Sequence, residues 1–272
     1  MVMELDVIEE KAEMLATLID SSKYPQTFNL LHCIAEYGLD DLDYFIEDVM
    51  CCDETLPMHT LFASFVEEVF IDEINKGNDG AMCNLGSLYY TGRIGTQDFE
   101  KGVYYYEMSA RLGNRQAQEN LGYCYYYGRV GEPDYKKAYH YFIKGALDGH
   151  LISLYKVGDM YKNGYYVEKD EKEAFYIYKH CLNHLSDEQN EKFGADIYIR
   201  IADCYYYGIG TEKDLRKALK FYQDAEFLYY NRIKDGDFLY KKQYSRCIQM
   251  QEAVRKEMQK EIPSYDWVKK EY

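Results

Sequence analysis

The chain has 272 residues, 47 acidic against 32 basic side chains, a formal charge of −15, and 32 tyrosines. That sign argues against a nucleic-acid partner, which demands a basic surface, and equally against docking on an anionic membrane. No run of 18 apolar residues occurs, so no transmembrane helix is expected.

Residues 1–76 hold 18 acids against Lys11, Lys23 and Lys76, so the whole net charge lies there. The start, Met1 to Asp6, has neither a positive segment nor an apolar core. It does not read as a signal peptide, and a cytoplasmic location is expected. Val7-Ile8, Met14-Leu15 and Leu18-Ile19 form a helical stripe. Phe28 to Tyr37, Leu42 to Met50 and Leu61 to Ile74 read as further helices, with Pro25 and Pro57 at turns. Asp40, Asp41, Asp43, Glu47 and Asp48 form an acidic patch. The cluster contains no glycine to turn a calcium loop, so we read it as a solvated helix face.

From residue 77 the chain repeats itself. Leu85-Gly86-Ser87-Leu88-Tyr89, Leu121-Gly122-Tyr123-Cys124-Tyr125, Val157-Gly158-Asp159-Met160-Tyr161 and Ile201-Ala202-Asp203-Cys204-Tyr205 are four copies of one motif. The first three start 36 residues apart (121 − 85 and 157 − 121) and the fourth 44 later (201 − 157). Such a period marks a solenoid of stacked supersecondary units. Each copy continues with a glycine (Gly92, Gly128, Gly164, Gly208) able to end a helix in the left-handed conformation. An aspartate follows (Asp98, Asp134, Asp170, Asp214), suited to cap the next helix. Glu173, three residues after Asp170, predicts a capping box. A small residue comes four positions after each aspartate (Gly102, Ala138, Ala174, Ala218), then aromatics. A mid-helix glycine costs about 1 kcal/mol against alanine. Its recurrence in one register predicts close approach of the two helices of a unit. The unit is helix A, turn, helix B, turn. Gly77-Asn78 mirrors Gly113-Asn114, so residues 1–76 are expected to extend the stack with degenerate repeats.

This pattern resembles the Sel1-like repeat family, relatives of the tetratricopeptide repeats. The resemblance rests on Ala117, Leu121-Gly122, Tyr125, Gly128, Gly131, Asp134, Lys137-Ala138, Tyr141, Ala146 and Gly149, and covers roughly residues 77–230. It implies an all-α, right-handed α/α superhelical solenoid. We expect an acidic helical extension over 1–76 and repeats over 77–236, at about 79–114, 115–150, 151–185 and 194–230. A C-terminal capping helix and tail over 237–272 complete it, with Cys247, Gln251, Val254 and Met258 along one face. The third copy lacks a glycine two or three residues after Gly164, and the fourth has Ala202 for the mid-helix glycine. The eight extra residues fall near Ser186 to Phe193, as a loop or helix extension. Cysteine-rich members of the family bridge the two helices of a unit with a fixed spacing. Cys181 has Gln189 where its partner would stand, so all eight cysteines are expected as thiols.

Other constellations are weaker. His180, Cys181 and His184 share a helix face, but no further metal ligand is near in sequence. Cys51-Cys52 could pair only as a strained vicinal disulfide. Gly208 to Lys213 faintly suggests a phosphate loop but lacks the Gly-Lys-Ser/Thr end, so it reads as the turn of the fourth unit. No serine-nucleophile motif is present, and neither catalysis, a cofactor nor a metal is expected. Helix A lines the inner face of such stacks. Its outward positions give groove candidates: Tyr90; Glu119, Tyr123, Tyr126, Tyr127; Tyr155, Asp159, Lys162, Asn163; Asp203, Tyr206, Tyr207. Tyrosine offers wide contact area at low entropy cost, which suits a protein or peptide. The expected function is a monomeric adaptor or scaffold whose partner carries a basic stretch. The resemblance keeps two alternatives open: a β-lactam-type hydrolase, and a small-molecule or glycan sensor.

Overall fold

The computed structural model describes residues 5–37, 45, 48–50, 52, 58–234 and 240–261. Two compact units divide the chain, Met1–Tyr141 and Phe142–Tyr272. Among the described residues there are helices and turns and no strand.

The first unit opens with α1 (Leu5–Leu18), α2 (Pro25–Tyr37) and α3 (Thr60–Asn75). Two helical pairs follow: α4 (Asp79–Thr91) with α5 (Phe99–Arg111), and α6 (Arg115–Tyr127) with α7 (Tyr135–Leu147), in which the unit boundary falls. Ile8, Leu15 and Leu31 share one core with Phe62, Val66, Phe70, Leu85 and Leu88. The described part of 1–76 therefore buries Ile8, Leu15 and Ile19 in one core with the first repeat, while Val7, Met14 and Leu18 of the expected stripe are exposed. Asp40, Asp41, Asp43 and Glu47 lie outside the described residues, while Asp48 is exposed.

The second unit continues with α8 (Leu151–Asn163) and α9 (Glu171–Asn183). The expected insertion is helical: α10 (Asp187–Gln189) and one π turn (Asn190–Gly194) run straight into α11 (Ala195–Tyr207). Its partner α12 (Leu215–Lys234) has 20 residues against 13 in α5, α7 and α9. The seven extra residues carry it about 10 Å further, at 1.5 Å per residue. Tyr229 braces that extension, donating to Asp196 Oδ1 at 3.0 Å. The last helix, α13 (Lys241–Glu261), buries Cys247, Gln251 and Val254.

The turn chemistry explains the period. Gly92, Gly128, Gly164 and Gly208 cap their helices with φ of 73°, 61°, 72° and 74°. In each unit the cap aspartate accepts from the backbone N–H three residues on, at 2.9–3.0 Å. Its own N–H donates to the carbonyl of the motif tyrosine, from Asp98 to Tyr89, Asp134 to Tyr125, Asp170 to Tyr161 and Asp214 to Tyr205. That bond corrects one expectation. Glu173 forms no capping box with Asp170, because the Asp170 N–H it would need is already taken by Tyr161. A capping box does form in the insertion, between Ser186 and Gln189.

The mid-helix glycines sit where helices touch. A Cβ on Gly86 would lie 2.8 Å from the Tyr106 ring and 3.0 Å from the Gly102 carbonyl. One on Gly158 would lie 2.8 Å from the Tyr178 ring.

Candidate functional site

The motif tyrosines form structural stacks. Tyr89 lies on Tyr105 (5.8 Å, 5°), Tyr125 on Tyr141 (5.9 Å, 4°) and Tyr205 on Phe221 (6.0 Å, 12°). A lysine covers each from the following helix: Lys101, Lys137 and Lys217, 4.5–5.1 Å from the ring centre. The third repeat has Ile177 and Glu173 at these positions and lacks the stack.

In the first unit the structure brings several groove candidates together. Tyr123 and Tyr127 stack at 6.3 Å and 9°, and Tyr126 meets Tyr127 edge-on at 4.9 Å. Tyr90 is half-buried, set edge-on to Phe99 at 5.0 Å and beside Tyr106. Burial raises its hydroxyl pKa, and the Arg129 charge opposes that rise. Tyr127 is half exposed. Glu119, by contrast, is buried, and so is no groove position.

In the second unit two candidates prove to be core. Asp159 and Tyr155 are buried. The Asp159 carboxylate accepts from the Tyr178 hydroxyl at 2.8 Å and from Arg200 Nε and Nη2, both at 2.7 Å. Arg200 also lies over the Tyr155 ring at 4.2 Å and donates to the Asp196 carbonyl. Lys156 Nζ stands 3.7 Å from Asp159. Burial alone would raise the Asp159 carboxyl, but the guanidinium outweighs it and holds the pKa at about 2. Tyr178 moves upward, through burial and then the adjacent carboxylate. Position 159 therefore faces helix B of its own repeat and helix A of the next. The wheel of a single helix places it outward because it cannot see those neighbours.

Asp203 repeats the arrangement. It accepts from the Tyr222 hydroxyl at 2.6 Å and from Arg246 Nη2 at 2.7 and 2.8 Å. Tyr206 and Tyr207 meet edge-on at 4.7 Å, with Tyr207 exposed. Lys213 lies over Tyr206 and pairs with Glu257 of α13. Lys162 is half-buried, and Asn163 is exposed, donating to the Asp159 carbonyl. Sequence reasoning missed Arg200 and Arg246. Their signal was an arginine on a helix otherwise lined with isoleucine, and one on the last helix 43 residues after Asp203.

The phosphate-loop lookalike is a turn. A cleft of about 760 Å³ separates Lys169–Lys172 from Gly208–Glu212. A Cβ on Gly210 would come within 1.9 Å of the Glu171 carbonyl, so only glycine fits there. Lys169 is paired with Glu171 across 2.7 Å, and no cradle of donors forms. Cys181 points inward, its thiol on the Leu151 carbonyl, whereas His180 and His184 stack on the exposed side at 4.1 Å. The three do not converge on a metal position. The described cysteines are all unbridged. Among the described residues no helix is long and apolar enough to cross a membrane.

Comparison with known proteins agrees with this architecture. The Sel1 repeat model matches residues 80–114, 115–150, 151–179 and 196–225. The fold is similar to that of a Sel1 repeat protein from Oxalobacter formigenes, with 21% identity and a TM-score of 0.56 over 84% of this chain and 83% of that one. It is also similar to c5321, a protective antigen of uropathogenic Escherichia coli with an SLR fold, with 22% identity and a TM-score of 0.55. That match covers 92% of this chain but only 52% of the antigen, so the chain spans about half of that protein's length. No curated protein matches the sequence. The four helical pairs from α4 to α12 belong to the Sel1 repeat family, and the chain is a Sel1-repeat protein.

Proposed function

We propose that this chain is a non-catalytic scaffold that holds a segment of another protein against the exposed tyrosines of its repeats. The observation that carries this reading is the set Tyr90, Tyr123, Tyr126 and Tyr127, partly open to solvent, in which Tyr127 meets the rings of Tyr123 and Tyr126 while Tyr90 is set against Phe99 and Tyr106. Rigid aromatic surface binds at small entropic cost. Tyr206 and Tyr207 offer a second such surface in the other unit. The strongly shifted groups, Asp159, Tyr178 and Tyr222, are locked in hydrogen-bonded pairs and not poised in a cleft, which favours a scaffold over an enzyme. The −15 charge of residues 1–76 steers a partner that carries a basic stretch over about 8 Å at physiological salt.

Affinity capture from native lysate with mass spectrometry identifies the partner. Substituting Tyr126→Ala and Tyr127→Ala together is expected to raise the dissociation rate about tenfold or more. Neutralising Asp40, Asp41 and Asp43 is expected to slow association at low salt only. A complex indifferent to loss of the tyrosine pair moves the binding face elsewhere.

A further inference from the structure

Two arginines, Arg93 and Arg129, stand 36 residues apart, in the same register of successive repeats. Each follows the glycine that ends a helix A. The backbone at Arg93 is fixed by its N–H on the Leu88 carbonyl, and that at Arg129 by its N–H on the Cys124 carbonyl at 3.0 Å. Their side chains differ in what they hold. The Arg93 guanidinium donates through Nη1 to the Met50 carbonyl and through Nη2 to the Cys52 carbonyl. These oxygens belong to a helical turn, in which the Cys52 N–H donates to the Asp48 carbonyl. In the first repeat, then, this register is a fork that grips two oxygen acceptors from a segment of the chain itself.

Arg129 meets aromatic rings instead. Its guanidinium carbon lies 5.4 Å from the centres of Phe99 and Tyr127 and 5.9 Å from that of Tyr90. Those rings are themselves fixed by Tyr106, Tyr123 and Tyr126. Arg129 is exposed, and no carboxylate pairs with it among the described residues. Arg200 and Arg246 each receive a carboxylate from the preceding repeat. The Arg129 side chain also hydrogen-bonds the Tyr90 hydroxyl, and its remaining N–H donors are left for a planar, bidentate acceptor.

We infer, on the reading that the tyrosine face is where a partner lies, that Arg129 binds a carboxylate of that partner, beside an aromatic or aliphatic anchor resting on Tyr123, Tyr126 and Tyr127. A charged fork that is already oriented loses little freedom on binding, and a carboxylate satisfies it better than a neutral carbonyl. The carboxylate comes either from the C-terminus of the bound segment or from an Asp or Glu within it. The basic stretch of the same partner lies apart from this point, against the acidic segment.

The probes are N-acetyl-tryptophan, which joins an anchor to a terminal carboxylate, and its uncharged amide. A third, N-acetyl-Trp-Glu-amide, carries the carboxylate on a side chain. Binding to the full-length protein is followed by NMR through the Nε–Hε signal of Arg129. One of the two acids is expected to bind about tenfold tighter than the amide, and whichever does so names the source. That advantage is expected to vanish in Arg129→Gln and to shrink in Arg129→Lys, which keeps the charge without the fork. Unchanged circular dichroism and melting of both variants exclude a folding effect. The inference is overturned if acids and amide bind alike, if no probe shifts the signal, or if the advantage survives Arg129→Gln. Loss of all binding in Tyr126→Ala with acid and amide equal in the native protein keeps the tyrosine face and removes the arginine. Binding of every probe untouched by Tyr126→Ala removes the face itself.

Discussion

Ser87 with Tyr106 in the first repeat and Asp159 with Tyr178 in the third occupy one register, nineteen residues apart in each case. In the first, the hydroxyls of half-buried Ser87 and buried Tyr106 meet at 3.0 Å. In the third, a buried carboxylate collects the phenol and a bidentate guanidinium from the next helix A; the half-buried Asp203 likewise takes the Tyr222 phenol and Arg246 Nη2, from the last helix. Register thus decides where helices A and B make their polar contact. The charge placed there decides what its loss costs. A neutral contact contributes modestly, whereas one partner of a buried ion pair cannot be removed without stranding the other.

The largest expected effect follows from that asymmetry. Arg200→Met leaves Asp159 buried with only Tyr178 and the more distant Lys156. It is expected to destabilise the second unit by about 3–5 kcal/mol, against about 1 kcal/mol for Ser87→Ala in the first. Urea unfolding with peptide-resolved hydrogen exchange separates the units. Adding Asp159→Leu to Arg200→Met is expected to recover most of the loss, since a well-packed apolar pair avoids both desolvation terms. Equal costs for Arg200→Met and Ser87→Ala break the comparison.

Acid is the next lever. The Asp159 pKa sits at about 2 in the folded protein, below the ordinary carboxylate value, because the Arg200 charge outweighs burial. Its contribution is therefore complete above the unfolded value and is lost as pH falls from about 4 through about 2. The size is on the order of 2 kcal/mol. The Ser87–Tyr106 pair has no group titrating in this range. Stability of the native protein measured between pH 5 and pH 2 is expected to fall more steeply than that of Asp159→Asn. Identical slopes would mean that Asp159 is not held low.

How much of this is legible in the sequence depends on how far apart the interacting residues are. The helix–turn–helix unit rests on contacts within about ten residues. Gly92 ends a helix, Asp98 caps the next, and the Asp98 N–H returns to Tyr89. Spacing alone exposes these, and likewise the contact of Gly86 with Tyr106. The latches lie 41 and 43 residues apart, across an insertion in one case and a departure from the repeat in the other. No local pattern pairs Asp159 with Arg200, so Asp159, Tyr155 and Glu119 read as outward-facing when they are buried. Tyr126 and Tyr127, whose contact is within one helix, and Tyr90, set on Phe99 and Tyr106 of the next helix, are all partly open to solvent. Arg129 belongs to no helix face, because it lies just past the Gly128 cap.

The smallest effect, a rate and not a stability, sharpens the comparison from another side. Burial pushes the thiols of Cys83 and Cys124 in the first unit, and of Cys181, Cys204 and Cys247 in the second, well above the ordinary thiol range, up to about 12. Three pKa units lower the thiolate fraction at neutral pH about a thousandfold, and the thiolate is the reactive form. Cys33 is exposed. In a background with Cys51→Ser and Cys52→Ser, the latter removing a sixth buried thiol, a maleimide is therefore expected to label Cys33 at once, and the five remaining buried thiols only when their surroundings open. Peptide mapping of the labelled sites then reads opening in each unit separately. Arg200→Met is expected to speed labelling of Cys181 and Cys204, whose helices α9 and α11 flank the Asp159 latch, and to leave Cys83 and Cys124 at their native rates. Ser87→Ala, with no charge to strand, is expected to change Cys83 only slightly. If Arg200→Met accelerates all five thiols alike, the latch does not act within its own unit, and the difference between the two regions is one of sequence without consequence for stability.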